Sequence, residues 1–408
     1  MNRSNEFDVV VVGGGPIGAI VAKGAAKRGL KTVVIEEHKI IGEPQHCAGL
    51  ISVNGFQRLN LIPSERIVLN KVRGASVFSP SGEELLLERS GPQAFVADRI
   101  SFDKQLADEA TESGSTLLLN TKAQSTRIEN TGVQVIADIV DSNKAKHKIT
   151  LTGELLVLAE GSQPRLTRNL GLEVPNPKMR LYATQFEMSH VKLESDDLVE
   201  IYLGNVYACG FFAWIIPTGN GSARVGLASS LPKPHALLSH FVSHHRVAAK
   251  KLRGAKTMRI LGGRILTGGP ISRTYSTRLL AVGDCAGQTK PTTGGGVVTG
   301  GICAHIASKV ASESVIADNF SAQYLERYDR SWRRQLGQEF SMMYLVRRLL
   351  NHLPDFLTDK LIRSIRNSGF GSLIEEKGDI DTQSQLVKSA IINPKRMIVF
   401  LLSFLGIL

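Results

Sequence analysis

Val9-Val10-Val11-Val12-Gly13-Gly14-Gly15-Pro16-Ile17-Gly18 is the stretch that decides the fold. An apolar run enters a glycine turn, and helical spacing follows from Pro16 to Arg28, stopped at Gly29. Thr32 to Ile35 then forms a second apolar strand, closed by Glu36-Glu37. Strand, helix and strand, with glycines at the first turn and an acid about 20 residues on, is the pattern of a dinucleotide-binding unit. Gly13 permits the tight turn, Gly15 lets the backbone approach a pyrophosphate, and Gly18 allows close packing of helix on strand. The helix N-terminus offers free N–H groups and a positive dipole end to phosphates. Glu36 is placed to accept hydrogen bonds from adenosine ribose hydroxyls.

Working outward, a second glycine loop lies far down the chain. Gly283-Asp284-Cys285-Ala286-Gly287 follows Leu279-Leu280-Ala281-Val282 and precedes Pro291 and Gly294-Gly295-Gly296. In this order the two loops read as the ends of one extended flavin site, and they point to FAD rather than a nicotinamide cofactor. Only one dinucleotide fingerprint is present, and it is taken by FAD.

Between the loops the pattern changes. A helix is expected from about Arg99 to Ser113, with Ser101 as its cap, and Leu155 to Ala159 is another apolar strand running into Glu160-Gly161. From about Leu181 to Ser230 the residues alternate in antiparallel style, and everything after Gly300 looks helical. The chain is therefore predicted to be α/β: a Rossmann-like FAD-binding domain with an inserted antiparallel β-sheet substrate domain and a C-terminal helical region. The expected boundaries are 1–75, 96–172 and 274–325 for the discontinuous FAD-binding domain, 76–95 and 173–273 for the substrate sheet, and 326–408 for the helices with an apolar tail.

At 408 residues the chain can bury a large core, and its apolar and charged fractions are those of an ordinary globular protein. Cys47, Cys209, Cys285 and Cys303 are scattered without a CxxC pair, which excludes a disulfide framework and an iron–sulfur or zinc site of usual spacing. The first strand starts at Phe7, so no secretory signal is expected and a cytoplasmic setting is. Net charge is +12, with Arg327, Arg330, Arg333, Arg334, Arg347, Arg348, Lys360, Arg363 and Arg366 in one C-terminal stretch. Such helices suit an anionic membrane surface, a phosphate-bearing substrate or simply solvent. No nucleic-acid module accompanies them, and nucleic acid is not expected. Met397 to Leu408 is almost wholly apolar after Lys395-Arg396, too short to span a bilayer but long enough to enter one leaflet or pack on the protein. His235, His240, His244 and His245 cluster without a carboxylate, so solvated histidines rather than a metal site are expected.

These residues resemble the geranylgeranyl reductase family of FAD enzymes, within the group that includes p-hydroxybenzoate hydroxylase; archaeal digeranylgeranylglycerophospholipid reductases are similar. The resemblance runs from about Phe7 to Gly301 and rests on four signals in order: the first glycine loop with Glu36, Pro44-Gln45-His46-Cys47-Ala48-Gly49-Leu50, Trp214-Ile215-Ile216-Pro217, and the Gly283-Asp284 loop. It implies an extended FAD, contacted by Gly13, Gly15, Gly18, Glu36, Cys47, Ala48, Arg99, Gly283 and Asp284, with Gly294, Gly295 and Gly296 against the isoalloxazine edge. Where related enzymes carry Asp-Gly with a following Ser and Arg, this chain has Glu160-Gly161, Pro164 and Arg168. Their Tyr-x-Trp-x-Phe-Pro signature appears as Phe212-Ala213-Trp214-Ile215-Ile216-Pro217.

In a strand Phe212, Trp214 and Ile216 share one face. With Pro217 they read as the wall a long hydrocarbon needs, or as core packing. Reducing an isolated prenyl double bond takes a hydride from reduced flavin at one carbon and a proton at the other, in a dry apolar site. The resemblance, which puts a Cys in this Cys-x-Gly-Leu loop, implies Cys47 near the flavin as proton donor, substrate gate or redox sensor; packing as a small buried hydrophobe is the other reading, and His46 is the alternative proton source. The implied activity is FAD-dependent saturation of geranylgeranyl chains on archaeal-type ether phospholipids. The partners expected are a prenyl lipid, NAD(P)H or a ferredoxin as electron donor, and the membrane surface; the protein is expected as a monomer, cytoplasmic and peripheral to the membrane. An aromatic monooxygenase, a flavoprotein–quinone electron-transfer protein and a non-catalytic flavin-binding scaffold stay open as alternatives.

Overall fold

The structure is a computed structural model and describes residues 6–140, 144–368, 370–382 and 384. Its packing divides the chain into two compact units. One comprises Met1–Gln45, Arg99–Lys178 and Leu266–Phe340; the other His46–Asp98, Met179–Ile265 and Ser341–Leu408. Residues 46–75 thus pack with the second unit.

The first unit is built on an eight-stranded sheet whose main path runs Tyr275–Ser276, Leu279–Ala281, Lys146–Leu158, Phe7–Val12, Thr32–Ile35, Thr116–Leu118. Phe7–Val12 lies parallel to both neighbours, with Val12 beside Ile35 on one side and beside Leu158 on the other. Its four valines are buried on both faces, as a central parallel strand requires. The chain leaves this strand to one side first and comes back on the other much later. The carboxyl end of Phe7–Val12 is therefore a topological switch point, where open α/β sheets hold their ligands.

The expected strand Thr32–Ile35 is found as such, and the first helix is Pro16–Ala26. Ser101 does not cap the next helix. That helix, Arg99–Glu112, already begins two residues before Ser101 and directly after Asp98, another favoured capping residue type.

The second unit carries a seven-stranded sheet in the order Lys256–Leu266, Arg180–Ser189, Ser222–Ser229, Phe212–Gly219, Leu198–Leu203, Gly74–Phe78, Glu84–Glu88. From Arg180–Ser189 to Glu84–Glu88 its pairs are antiparallel, as the alternation predicts, except where Leu198–Leu203 runs parallel to Gly74–Phe78. Period-two alternation sorts its two faces. Ala213 and Ile215 pack with Phe186, Tyr202 and Phe241, whereas Trp214 and Ile216 pack with Val72, Val96 and Val199.

The histidine cluster is only partly solvated. His235, His240 and His244 are exposed, but His245 is buried against the rings of Tyr202, Tyr207 and Phe241. Its Nδ1 accepts from the N–H groups of Val247 (3.3 Å) and Ala248 (3.2 Å), an acceptor role that only the neutral ring can fill. Burial, and then the charge of Arg246, lowers its pKa to about 4. The unfolded chain binds this proton below about pH 6.5 and the folded chain resists it, so stability should fall as pH drops from 6.5 towards 4. Urea midpoints measured across that range should decline in the parent and decline less in His245→Asn, whose amide oxygen can accept but cannot titrate. An unchanged slope would remove His245 as the cause.

The apolar run 397–408 lies outside the described residues. No described helix is long and apolar enough to cross a membrane.

Candidate functional site

Three loops leave the carboxyl ends of adjacent parallel strands in the first unit. Gly13 follows Phe7–Val12, Ala159-Glu160-Gly161 follows Lys146–Leu158, and Gly283 follows Leu279–Ala281 by one residue. Gly13 has φ +107°, and a Cβ there would stand 2.3 Å from the Ala159 carbonyl oxygen. A Cβ on Gly18 would stand 1.9 Å from the Gly13 carbonyl oxygen. Both positions are closed to any side chain by the protein itself.

Gly15 is different. Nothing lies within 4 Å of the place its Cβ would occupy. The protein's own packing gives no reason for a glycine there, but a ligand lying on the backbone does. Gly15 is also the N-cap of Pro16–Ala26, without a side-chain cap, and the first turn holds no acid. The leading N–H groups and dipole end of this helix therefore suit a phosphate. Glu36 is held by Gly14 N–H to Oε2 (2.7 Å) and by His38 N–H to Oε1 (2.9 Å), at the carboxyl end of the neighbouring strand. The His38 ring Nδ1 lies 2.6 Å from the same Oε1, so of a carboxylate's four acceptor positions one remains for a hydroxyl donor. This donor and acceptor set fits a dinucleotide.

The second glycine loop is assembled by groups that sequence reasoning missed. Gln288 is fully buried; its Oε1 accepts from Gly283 N–H (2.8 Å) and its Nε2 donates to Tyr328 Oη (2.9 Å). Tyr328 in turn donates to the Ala281 carbonyl (3.1 Å), closing a ring of contacts under the loop. Beyond it, Lys290 N–H donates to Gly295 O and Gly294 N–H to Lys290 O, folding Lys290–Gly295 into a tight turn. Gly296 lies so close to Asp284 that a Cβ would be 2.8 Å from its Oδ1. Burial raises the Asp284 carboxyl pKa, and the charge of Arg99 pulls it back down. Arg99 is itself buried, with a forked pair of hydrogen bonds from Nη2 to Asp103 (2.8 and 2.9 Å). The first unit thus brings together Asp284, Gly296 and the field of Arg99.

Glu160, which departs from the related pattern, caps a helix. Its carboxylate accepts from Leu166 N–H and Thr167 N–H (2.8 Å each) and from Thr167 Oγ1 (2.7 Å). Cys285 is a packed thiol, pushed up to about 12 first by burial and then by the charge of Glu160, and its Sγ–H faces the Leu158 and Val282 carbonyls.

In the second unit, Cys47 is half-buried and its Sγ accepts from Gly49 N–H at 3.4 Å. His46 is exposed, with Nδ1 2.5 Å from the Gly262 carbonyl oxygen. The loop is held from beneath by Arg224, a buried cation whose Nη1 donates to the carbonyls of Ala48 (2.8 Å) and Ala97 (2.9 Å). Its Nε faces Glu187 at 3.5 Å. A charge inside the apolar strand Ala223-Arg224-Val225 was the available signal for it. Trp214 and Ile216 are buried, Pro217 as well, and Phe212 keeps partial exposure. Trp214 donates Nε1–H to Gln185 Oε1 (3.1 Å), and its ring lies flat over Gly226, where a Cβ would meet it at 2.6 Å. Ala48 and Leu50 pack against the same cluster as Trp214.

The model of the FAD binding domain family matches residues 6–336. The digeranylgeranylglycerophospholipid reductase of Methanocaldococcus jannaschii is 31% identical to the chain, over 89% of it and 91% of the relative. The chain belongs to the geranylgeranyl reductase family of FAD-binding proteins. Its cofactor is FAD. Among solved structures, the geranylgeranyl bacteriochlorophyll reductase-like protein of Thermoplasma acidophilum has a TM-score of 0.84 at 25% identity, covering 96% of this chain and 98% of that one. The halogenase PltM in complex with FAD shares the fold, with a TM-score of 0.69 at 14% identity over 98% of this chain and 86% of that one. Membership spans both glycine loops and the segment between them.

Proposed function

We infer that the chain is an FAD-dependent reductase that saturates carbon–carbon double bonds of geranylgeranyl chains on archaeal-type ether phospholipids. The observation that carries this reading is the likeness to a named digeranylgeranylglycerophospholipid reductase along nearly the whole of both chains. Reduced FAD, when bound, supplies the hydride that goes to one carbon of the double bond.

The remaining work falls to the chain's own side chains. Gly15 and the Pro16–Ala26 helix N-terminus receive the pyrophosphate, and Gly13 and Gly18 keep that turn closed. Glu36 accepts from the ribose, and Asp284 with Gly283 accepts from the cofactor's hydroxyls. Arg99 adds positive charge beside Asp284, and Gly294, Gly295 and Gly296 give a flat ring bare backbone to rest on. Cys47 gives the proton to the second carbon, with His46 as the alternative source, and Ala48 borders Cys47 in the same loop. Phe212, Trp214, Ile216 and Pro217 contribute apolar surface for the prenyl chain; Phe212 is the one with surface to spare. Electrons come from NAD(P)H or a ferredoxin, and the protein works as a cytoplasmic monomer at the membrane face.

An anaerobic single turnover tests the reaction. Dithionite-reduced protein mixed with digeranylgeranyl phospholipid should reoxidise its flavin as the lipid gains two hydrogens per flavin, read by absorbance and mass. Flavin that stays reduced with this lipid but reoxidises with a quinone, or with oxygen and a phenol, would overturn the reading. Cys47→Ala should slow that single turnover by about 100-fold or more with FAD retained, the usual range for a lost proton donor. His46→Ala should slow it far less, and the reverse order would make His46 the donor.

A further inference from the structure

Most of the C-terminal cations are already engaged. Arg363 and Arg366 pair with Glu83, and Arg347 is buried over the Phe211 ring with its Nη1 donating to Gly210 O (2.9 Å). Between 341 and 368 the exposed cations without an ion pair among the described residues are Arg348 and Lys360. The acids of that stretch are occupied: Asp355 accepts from Asn205 N–H and Nδ2 (2.9 Å each), and Asp359 from Ser81 N–H (2.8 Å).

Beside those two cations, large apolar side chains are turned outward. Leu345 is 53% exposed, Leu349 62%, Leu350 41% and Phe356 62%. Single exposed leucines need no explanation, but four such residues between positions 345 and 356, at the end of one helix and the start of the next, do. Helical spacing sets Leu345 and Leu349 on one face with Arg348, and Phe356 on one face with Lys360. Asn205, which also donates to Leu353 O (3.2 Å), brings Val206, 63% exposed, to the same corner.

We propose that this corner, Leu345, Leu349, Leu350 and Phe356 with Arg348 and Lys360, is the surface by which the protein sits on an anionic lipid bilayer. The apolar residues enter the boundary of the acyl chains while the two cations meet headgroup phosphates, the division of labour of an interfacial helix. A second copy of the chain fits less well. A symmetric contact through this patch sets the same cations of the two copies against each other, with the neighbouring acids already spoken for. The proposal rests on the reading of a membrane-borne substrate for its purpose, but not for its test.

Full-length, FAD-loaded protein is floated with vesicles of phosphatidylcholine alone or mixed with phosphatidylglycerol. The parent should co-float with the anionic vesicles and be released by salt. Leu349→Ser with Phe356→Ser should weaken that binding at least about tenfold, from two lost apolar insertions. Arg348→Gln with Lys360→Gln should weaken it about 30-fold, at ~1 kcal/mol per cation. Both pairs change exposed positions, so unchanged melting and flavin absorbance confirm the fold. Parent protein that does not float, or variants that float like the parent (as binding through residues 397–408 would produce), overturns the proposal. So does a dimer seen by light scattering that the Leu349→Ser, Phe356→Ser pair abolishes in place of vesicle binding. Flavin reoxidation by detergent-dispersed lipid should be equal in parent and variants; its absence from all of them refutes the reductase reading and leaves the flotation result standing.

Discussion

Gly18→Ala is expected to yield a destabilised protein that retains no flavin, whereas Gly15→Ala should lose flavin from an intact fold. The two glycines are three residues apart in one loop, yet their surroundings are opposite. At Gly18 the new methyl would stand 1.9 Å from the Gly13 carbonyl oxygen, and neither backbone can yield without moving the Phe7–Val12 strand or the Pro16–Ala26 helix. Overpacking of that kind costs about 1–3 kcal/mol, and more where backbone is the obstacle. At Gly15 the backbone sits at φ −66° and ψ 179°, which alanine adopts freely, and the methyl meets nothing within 4 Å. It would protrude where a pyrophosphate lies on the backbone. The same overpacking cost would then appear in binding, a loss of roughly 5–150-fold in FAD affinity. Urea unfolding of the flavin-free proteins separates the fold effect, and fluorescence titration with FAD gives the affinities. A Gly15→Ala protein that binds FAD like the parent would remove Gly15 from the cofactor's path.

Gln288→Leu should be the most damaging conservative-sized change in the second loop. It strips the Gly283 N–H of its acceptor and the Tyr328 hydroxyl of its donor, both in places water does not reach. Each orphaned group costs about 1–3 kcal/mol, so a loss of roughly 2–6 kcal/mol is expected in thermal or urea unfolding. Asp284 stands next to Gly283, so FAD should also be held more weakly. Tyr328→Phe is the graded control. It deletes the hydroxyl that donates to Ala281 O and receives from Gln288, and should cost about 1–2 kcal/mol with a smaller effect on FAD. Equal stability of parent and Gln288→Leu would mean the network is replaceable.

Both predictions concern the flavin-binding half of the molecule, and the two halves were legible to different degrees. Strand, turn, helix and strand from Phe7 to Ile35 could be read residue by residue, because a period of two or 3.6 and a glycine at a turn are written in consecutive positions. The antiparallel style of residues 181–230 was legible for the same reason. The parallel pairing of Leu198–Leu203 with Gly74–Phe78 was not, since its partner lies far back in the chain. The face shared by Phe212, Trp214 and Ile216 followed from alternation alone. Alternation could not say that two of the three would be buried against Val72 and Val96.

The histidine cluster shows the same limit from another side. His240 and His244 stack at 4.5 Å, the neighbour relation their spacing implies. His245, one residue on, is turned into an aromatic core because Tyr202 arrives there from the strand Leu198–Leu203 and Tyr207 from the short helix Asn205–Ala208. Glu160 reads in sequence as a variant motif position; only the fold turns it into the cap of Arg165–Asn169.

By itself the sequence determined the local devices: two glycine loops, the helix that opens behind the first, the acid at Glu36, the apolar strands and the family to which their order belongs. Each is a backbone requirement met by neighbours in the chain, so a short window contains its whole cause. Tertiary structure alone decided what holds those devices in place. Arg224 pins a carbonyl 176 positions away, and Gln288 meets Tyr328 across 40. It also decided which cations would be used up by Glu83 and which, Arg348 and Lys360, would be left facing outward. Such pairings depend on which segments packing brings together, and a buried donor takes whichever acceptor the fold delivers to it.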